Sequence, residues 1–287
     1  MTNNKANHDI TADEVALYDR QIRLWGLDAQ QKIRLSNVLL IGCKGLSLET
    51  AKNIVLSGIK QLVLIDDKPV DIKDRSKVLT ESLGILNPRV TINAVSRDTL
   101  NAELVSESDV VISVGQTLDD QILINKMERK EGLSTSKDET VTVKTSKQQE
   151  YIPLEKTFEA AYHGLTGKKL KRKVSPLLFA YQALWEFQKQ SKELPRPLSK
   201  DDLILFREIT KSITEKRGIP ESFVDAELTE RICTNARIEY PPTNAIVGGM
   251  LAQEILKVIT GKEFPVTNFF LFDGMTNEGS VNSVFPN

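Results

Sequence analysis

Apolar positions along this chain follow two rhythms. Val38-Leu39-Leu40-Ile41 and Leu62-Val63-Leu64-Ile65 are short unbroken runs, as expected of strands covered on both faces. Between them, Leu46 to Ser57 carries Ala51, Ile54 and Val55 on one helical stripe and stops at Gly58, the residue that commonly closes a helix. Strand, glycine turn, helix and strand in succession predict the opening half of a doubly wound α/β sheet. The rhythm continues with a helix over Ser76 to Leu86, ended by Asn87-Pro88 because proline cannot extend it. A third strand follows at Val90 to Val95, a fourth at Asp109 to Gly115, and a helix at Leu118 to Arg129. Upstream, Thr11-Ala12-Asp13-Glu14 is a capping box. It predicts one helix from Ala12 to about Leu24, and a shorter one over Asp28 to Leu35 feeds the first strand.

The alternation then breaks. Lys130 to Gln149 is polar, with one alternating patch at Val141-Thr142-Val143, and reads as a flexible insertion or a weak edge strand. From about 154 to 235 the spacing is helical throughout, over Pro176 to Lys189, Asp201 to Lys216 and Pro220 to Cys233. Tyr240-Pro-Pro-Thr-Asn244 opens a further helix, Ala245 to Thr260, closed by Gly261. Its expected apolar stripe is Val247, Met250, Leu251, Ile255, Val258 and Ile259, and Gly248, Gly249 and Ala252 admit another element closely. Two strands, Asn268 to Gly274 and Ser280 to Phe285, end the chain around a glycine-containing turn. The expected organisation is a Rossmann-like first part over 1–130, a polar insertion over 131–153, a helical insertion over 154–238 and a return to the sheet domain over 239–287.

Bulk composition narrows the function classes. The chain has 287 residues, 40% of them hydrophobic, enough for a sizeable core, and a formal net charge of −1. No overall field therefore favours nucleic acid or an anionic membrane. Two cysteines, Cys43 and Cys233, lie far apart and outside any C-x-x-C pair, which argues against a disulfide framework, a zinc site and any other metal site. Neither has a basic neighbourhood that would make it a reactive thiol. His8 and His163 are isolated. The polar start, Met1 to Asp9, lacks a signal-peptide core, and no run of 18 apolar residues exists. A reducing, intracellular compartment is expected.

The candidate chemistry sits in the first turn. Gly42-Cys43-Lys44-Gly45-Leu46-Ser47 places glycines where a backbone must turn tightly and approach a phosphate, ahead of a helix N-terminus. Asp66 follows where an acidic residue can take a ribose hydroxyl. The spacing is G-x-x-G-x-S rather than G-x-G-x-x-G, so Gly42, Gly45 and Asp66 form a degraded nucleotide fingerprint, and Asp66 reads better as a strand terminus. Lys168-Lys169-Leu170-Lys171-Arg172-Lys173 is a basic cluster: a nuclear address, a phosphate contact or a solvated helix flank.

Tyr18-Asp19-Arg20-Gln21-Ile22-Arg23-Leu24-Trp25-Gly26, ahead of that turn, resembles the opening of the ThiF-type adenylation fold in activating enzymes for ubiquitin-like modifiers. Val247 to Lys257, followed by Asn268-Phe269-Phe270-Leu271-Phe272-Asp273-Gly274-Met275, is similar to the regulatory, non-catalytic subunits of SUMO-activating enzymes. The resemblance covers roughly residues 11 to 129 and 168 to 287. It implies a pseudo-symmetric heterodimer whose catalytic partner supplies the main ATP site with Mg, the thioester cysteine and the zinc site. SUMO is engaged mainly through that partner, without nucleic acid or membrane. It further implies one arginine given in trans to the γ-phosphate of ATP, and Arg20 matches that position. A guanidinium is a permanent, multidentate donor suited to phosphate oxygens. A nuclear location, shared with the cytoplasm, goes with the resemblance.

Two departures accompany it. The crossover after the second strand is short, and after the fourth strand and its helix the chain runs directly into the polar insertion, so roughly three sheet strands of the family pattern are absent. Other readings stay open: a subunit for a neddylation-type or ubiquitin-type enzyme, a shortened form that holds the partner without supporting catalysis, or an NAD-dependent oxidoreductase built on the turn and Asp66.

Overall fold

The structure is a computed structural model that describes residues 10–66, 72–130, 151–165 and 167–285. The patch at 141–143, most of the polar insertion and His8 lie outside the described residues. The chain divides into two units, residues 1–115 with 244–265 and residues 116–243 with 266–287.

In the first unit the elements run α1 (Ala12–Leu17), α2 (Asp19–Trp25), α3 (Leu27–Leu35), β1 (Asn37–Ile41), α4 (Gly45–Leu56), β2 (Gln61–Ile65), α5 (Ile72–Leu86), β3 (Thr91–Val95), α6 (Ala102–Ser106) and β4 (Val110–Ser113). The strands form one parallel sheet in the order β3-β2-β1-β4, with Leu40 of β1 opposite both Leu64 of β2 and Ile112 of β4. That order explains the sequence pattern. After their polar first residues, Asn37 and Gln61, central β1 and β2 are apolar because both faces are covered, whereas outer β3 alternates because only part of it packs inward. The predicted stripe of α4 is buried as expected, with Ala51, Ile54 and Val55 against Leu40, Leu62 and Leu64.

The second unit contains α7 (Leu118–Lys130), α8 (Leu154–Thr157), α9 (Gly167–Lys173), α10 (Pro176–Ser191), α11 (Lys200–Lys216) and α12 (Ala226–Asn235), then, after α13 (Pro241–Thr260), β5 (Phe269–Asp273) and β6 (Glu278–Asn282). Phe179 is the centre of its core, with Tyr162 edge-to-face at 5.7 Å and Phe223 at 6.1 Å. The terminal strands pair with each other, antiparallel, as a separate hairpin. Leu271 and Val284 join the core around Phe179. A bidentate ion pair, Arg231 Nη1 to Asp273 Oδ1 at 2.7 Å and Nη2 to Oδ2 at 2.9 Å, ties α12 to β5. On α9, Leu170 is buried while Lys168, Lys169, Lys171, Arg172 and Lys173 are exposed.

Three expectations need correction. The helix expected from Ala12 to Leu24 breaks at Tyr18, whose backbone leaves helical geometry (φ −102°, ψ 19°). Its ring is drawn into the core, where its hydroxyl accepts a hydrogen bond from Asn87 Nδ2 at 2.8 Å. The buried face of α13 is Gly248, Ala252, Ile255, Leu256 and Thr260; of the expected stripe, Ile255 is buried and Leu251 and Ile259 pack on the core, but Met250 and Val258 are exposed. Gly248 is the position of close approach: a Cβ there would lie 2.6 Å from Glu49 Cβ and 3.1 Å from Thr50 N, whereas Gly249 has open space. The helix thus meets α4 at Gly248, while Ile255 and Leu256 fill the core further along it. Third, the helix expected from Pro220 begins at Ala226, capped by the Asp225 carboxylate accepting from Leu228 N at 2.8 Å.

Gly58 (φ +84°) lies under Tyr18, and a Cβ there would stand 2.5 Å from Tyr18 Cζ. Both the left-handed backbone and the ring forbid a side chain. Gly58→Ala is expected to lose about 1–3 kcal/mol of stability, read as a lower thermal midpoint, and Gly84→Ala, in open space, to lose none.

Candidate functional site

The two places singled out by sequence, the Arg20 helix and the glycine turn, both belong to the first unit. They differ in what they offer to a ligand.

Arg20 sits on α2, and the surroundings of α2 are tightly held. At its start, Tyr18 is clamped by Asn87, whose Nδ2 also donates to Val55 O at 2.9 Å, so one amide joins the helix break, α4 and the end of α5. Before it, the predicted capping box is present: Thr11 N donates to Glu14 Oε2 at 2.9 Å, and Glu14 N to Thr11 Oγ1 at 3.3 Å. Glu14 is buried and accepts from Arg34 Nε at 2.9 Å, which ties α1 to α3. The Thr11 amide, with Arg34 adding to it, holds the Glu14 carboxyl below its ordinary value. At the far side, Lys32 Nζ donates to Thr260 O at 3.3 Å, placing a cation on the carbonyl end of α13.

This bracing leaves the outer face of α2 in solvent. Arg20 is exposed and, among the described residues, makes no hydrogen bond or ion pair, while its neighbour Arg23 is engaged with Asp19 at 3.0 Å. One helical turn from Arg20, Leu24 is 71% exposed, and Leu17 and Leu27 on the flanking helices are at least half exposed. A free guanidinium beside several uncovered leucines has the composition of a protein-contact surface rather than of a solvated helix face.

The glycine turn is committed to itself. Gly42 (φ +90°) requires glycine, but its N–H donates to Ile65 O at 2.7 Å. The Lys44 N–H donates to Ser47 Oγ at 3.2 Å, and the Ser47 hydroxyl donates to Gly42 O. The Gly42 amide is thus engaged by strand β2 and the Lys44 amide inside the loop. In the order β3-β2-β1-β4, the crevice for a ligand opens at the carboxyl ends of β1 and β4. Lys44 lies there: Nζ donates to Gly115 O at 3.4 Å, and its methylenes occupy the space above Gly115. Asp66 follows β2 directly, with only 5% of its surface exposed. Gly42, Gly45 and Asp66 share one corner of the sheet, at the carboxyl ends of β1 and β2. Lys44 is the residue the sequence reading overlooked; the signal was a long side chain where the fingerprint calls for its second glycine.

Among the described residues there is no cluster of three metal-ligating side chains, and no helix is long and apolar enough to cross a membrane. Cys233 is buried, and that burial pushes its thiol up from its ordinary value.

A four-stranded parallel sheet opened by this turn and flanked by helices is a Rossmann-like α/β scaffold, and similarity to known proteins gives its family. The ThiF family profile matches residues 18–77 and 73–286; the chain belongs to the ThiF family. It is 30% identical over 318 aligned positions to SUMO-activating enzyme subunit 1 of Dictyostelium discoideum, covering 98% of this chain and 96% of that protein. To SUMO-activating enzyme subunit 1B-1 of Arabidopsis thaliana it is 30% identical, with 96% and 98% covered, and to subunit 1 of Bos taurus 28%, with 99% of each covered. The last alignment runs to 353 positions against 287 residues here, so the relative carries internal stretches without counterpart in this chain.

NADH titrated into the purified chain is expected to show no change in fluorescence, because the Lys44 side chain occupies the space above Gly115 and its amide is engaged by Ser47. Saturable enhancement would show that the turn opens.

Proposed function

We propose that this chain is the regulatory, non-catalytic subunit of a heterodimeric SUMO-activating enzyme. The observation that carries this reading is the alignment with proteins named subunit 1 over nearly the whole of both chains. The internally closed glycine turn supports it, since a subunit without its own nucleotide cradle needs a partner to hold ATP and Mg. In this reading the partner binds ATP and engages SUMO. This chain docks through the leucine-bordered face of α2 and extends Arg20 to the triphosphate. Carboxylate and triphosphate repel each other; as the SUMO carboxylate attacks the α-phosphorus and the α–β phosphoanhydride bond breaks, giving the acyl-adenylate and pyrophosphate, a guanidinium on the γ-phosphate offsets the charge that builds on the departing pyrophosphate. The exposed cations of α9 support a nuclear location, shared with the cytoplasm.

A second reading follows from the relatives' extra internal stretches: a shortened subunit that holds the catalytic partner without sustaining adenylation. One reconstitution separates the two. Mixed with a SUMO-activating catalytic subunit and SUMO, the chain is expected to form a one-to-one complex and to support ATP–pyrophosphate exchange, with none from the chain alone. Copurification without exchange selects the shortened reading. Absence of any complex contradicts both.

Within the active complex, Arg20→Ala is expected to slow exchange by about 10²-fold, the order seen when one charge-stabilising donor is removed. Arg20→Lys is expected to recover only part of it, because an ammonium lacks the planar fork. An unchanged rate in Arg20→Ala would refute the trans role while leaving the subunit assignment standing.

A further inference from the structure

Five of the seven residues of α9 are cations. Lys168, Lys169, Lys171, Arg172 and Lys173 are all exposed, and none makes an ion pair or side-chain hydrogen bond among the described residues. Lys168 with Arg172, and Lys169 with Lys173, stand four residues apart, a spacing at which like charges destabilise a helix. The opposite face holds α9 in place. Leu170 and Val174 are buried in the core that also takes Leu271 and Val284 from the terminal hairpin and its end. Just beyond the helix, Ser175 N donates to Asn282 Oδ1 of β6 at 2.6 Å. Helix and strand are thereby fixed side by side.

This arrangement sorts the cations. With Leu170 turned inward, Lys169, Arg172 and Lys173 share one side of the helix, and with Val281 and Ser283 they line a shallow groove of about 530 Å³. Lys168 and Lys171 are not part of its lining. Along the strand, exposure alternates: Asn282 and Val284 are buried, whereas Val281, Ser283 and Phe285 are exposed, Val281 at 54%. Glu278, the carboxylate of β6, is exposed at the start of the strand and does not line the groove.

The groove sets the chemistry of what it takes up. Three long cations on one wall call for carboxylates. Exposed side chains at every second position of the other wall match a chain in extended conformation, whose own side chains alternate in the same way. Nucleic acid is held through phosphate contacts that commonly number about 6–10, more than three cations supply in a chain of net charge −1. We propose that the α9–β6 groove binds an extended acidic segment of a partner protein, with carboxylates on Lys169, Arg172 and Lys173 and an apolar side chain on Val281. Such a segment also relieves the repulsion along α9. The site uses no residue of the α2 face or the glycine turn, so it stands or falls independently of the function proposed above.

The test uses the full chain and fluorescence anisotropy of a dye-labelled hexapeptide of alternating Glu and Leu. Saturable binding is expected, weakened when salt is raised from about 50 to about 500 mM. A hexapeptide of alternating Gln and Leu is expected to bind at least about tenfold more weakly, the combined effect of several exposed charge pairs. On the protein side, the triple change Lys169→Gln, Arg172→Gln and Lys173→Gln is expected to cost about tenfold, and Val281→Ser about threefold. The double change Lys168→Gln and Lys171→Gln, outside the groove, is expected to cost less than about twofold. All these positions are exposed, so unchanged melting temperatures are expected to accompany the losses. Equal losses from the triple and the double change would show attraction by overall charge alone and overturn the proposal. Equal binding of the Glu and Gln peptides, or no binding of the Glu peptide, would also overturn it. So would tighter binding of a labelled single-stranded thymidine hexanucleotide, which would mark the groove as a phosphate site.

Discussion

The phenol of Tyr18 determines how the amino-terminal helices are placed. Its ring packs over Gly58, whose left-handed backbone leaves room for it, and its hydroxyl accepts from Asn87, which also holds the Val55 carbonyl near the end of α4. One buried polar contact thus gathers the break between α1 and α2, the end of α4 and the end of α5. The Glu14–Arg34 pair and the Lys32–Thr260 contact brace the same assembly from either side. The consequence is orientation. With Tyr18 drawn inward, the next residues of α2 turn Arg20 and Leu24 outward into solvent.

Much of this was legible in the amino-acid pattern, and for a physical reason. Strands buried on both faces must be apolar throughout, so β1 and β2 announced themselves, as did the capping box at Thr11 and the proline stop at the end of α5. The break at Tyr18 was not legible. A tyrosine inside a helical run carries no local sign that a distant asparagine will hold its hydroxyl. The face of α13 was misread for a related reason. Hydrophobicity pointed to Met250 and Val258, but close approach to α4 is limited by volume, so Gly248 takes that contact and the buried face turns toward Ala252, Ile255 and Leu256. The place of the last two strands depended on a partner hairpin core around Leu271 and Phe179, which no local pattern encodes.

The glycine turn shows how a nucleotide-binding scaffold is kept while its ligand site is closed. Gly42 still makes the strand-to-helix turn, and Ser47 now caps the loop that a glycine would have left open. Lys44 then reaches across the crevice to Gly115. The sheet keeps its packing and loses its cradle. Under the proposed function this would divide the labour: the frame serves assembly, and the charge offered to the triphosphate is carried by Arg20 on an outward helix.

The central claim is that the braced α2 face, with Arg20 at its centre, is where a catalytic partner docks. Amide hydrogen exchange of this chain, free and mixed with a SUMO-activating catalytic subunit, tests it most directly. The account predicts strong added protection in peptides spanning residues 17–27 upon complex formation. A complex that forms while those amides exchange as fast as in the free chain would contradict it.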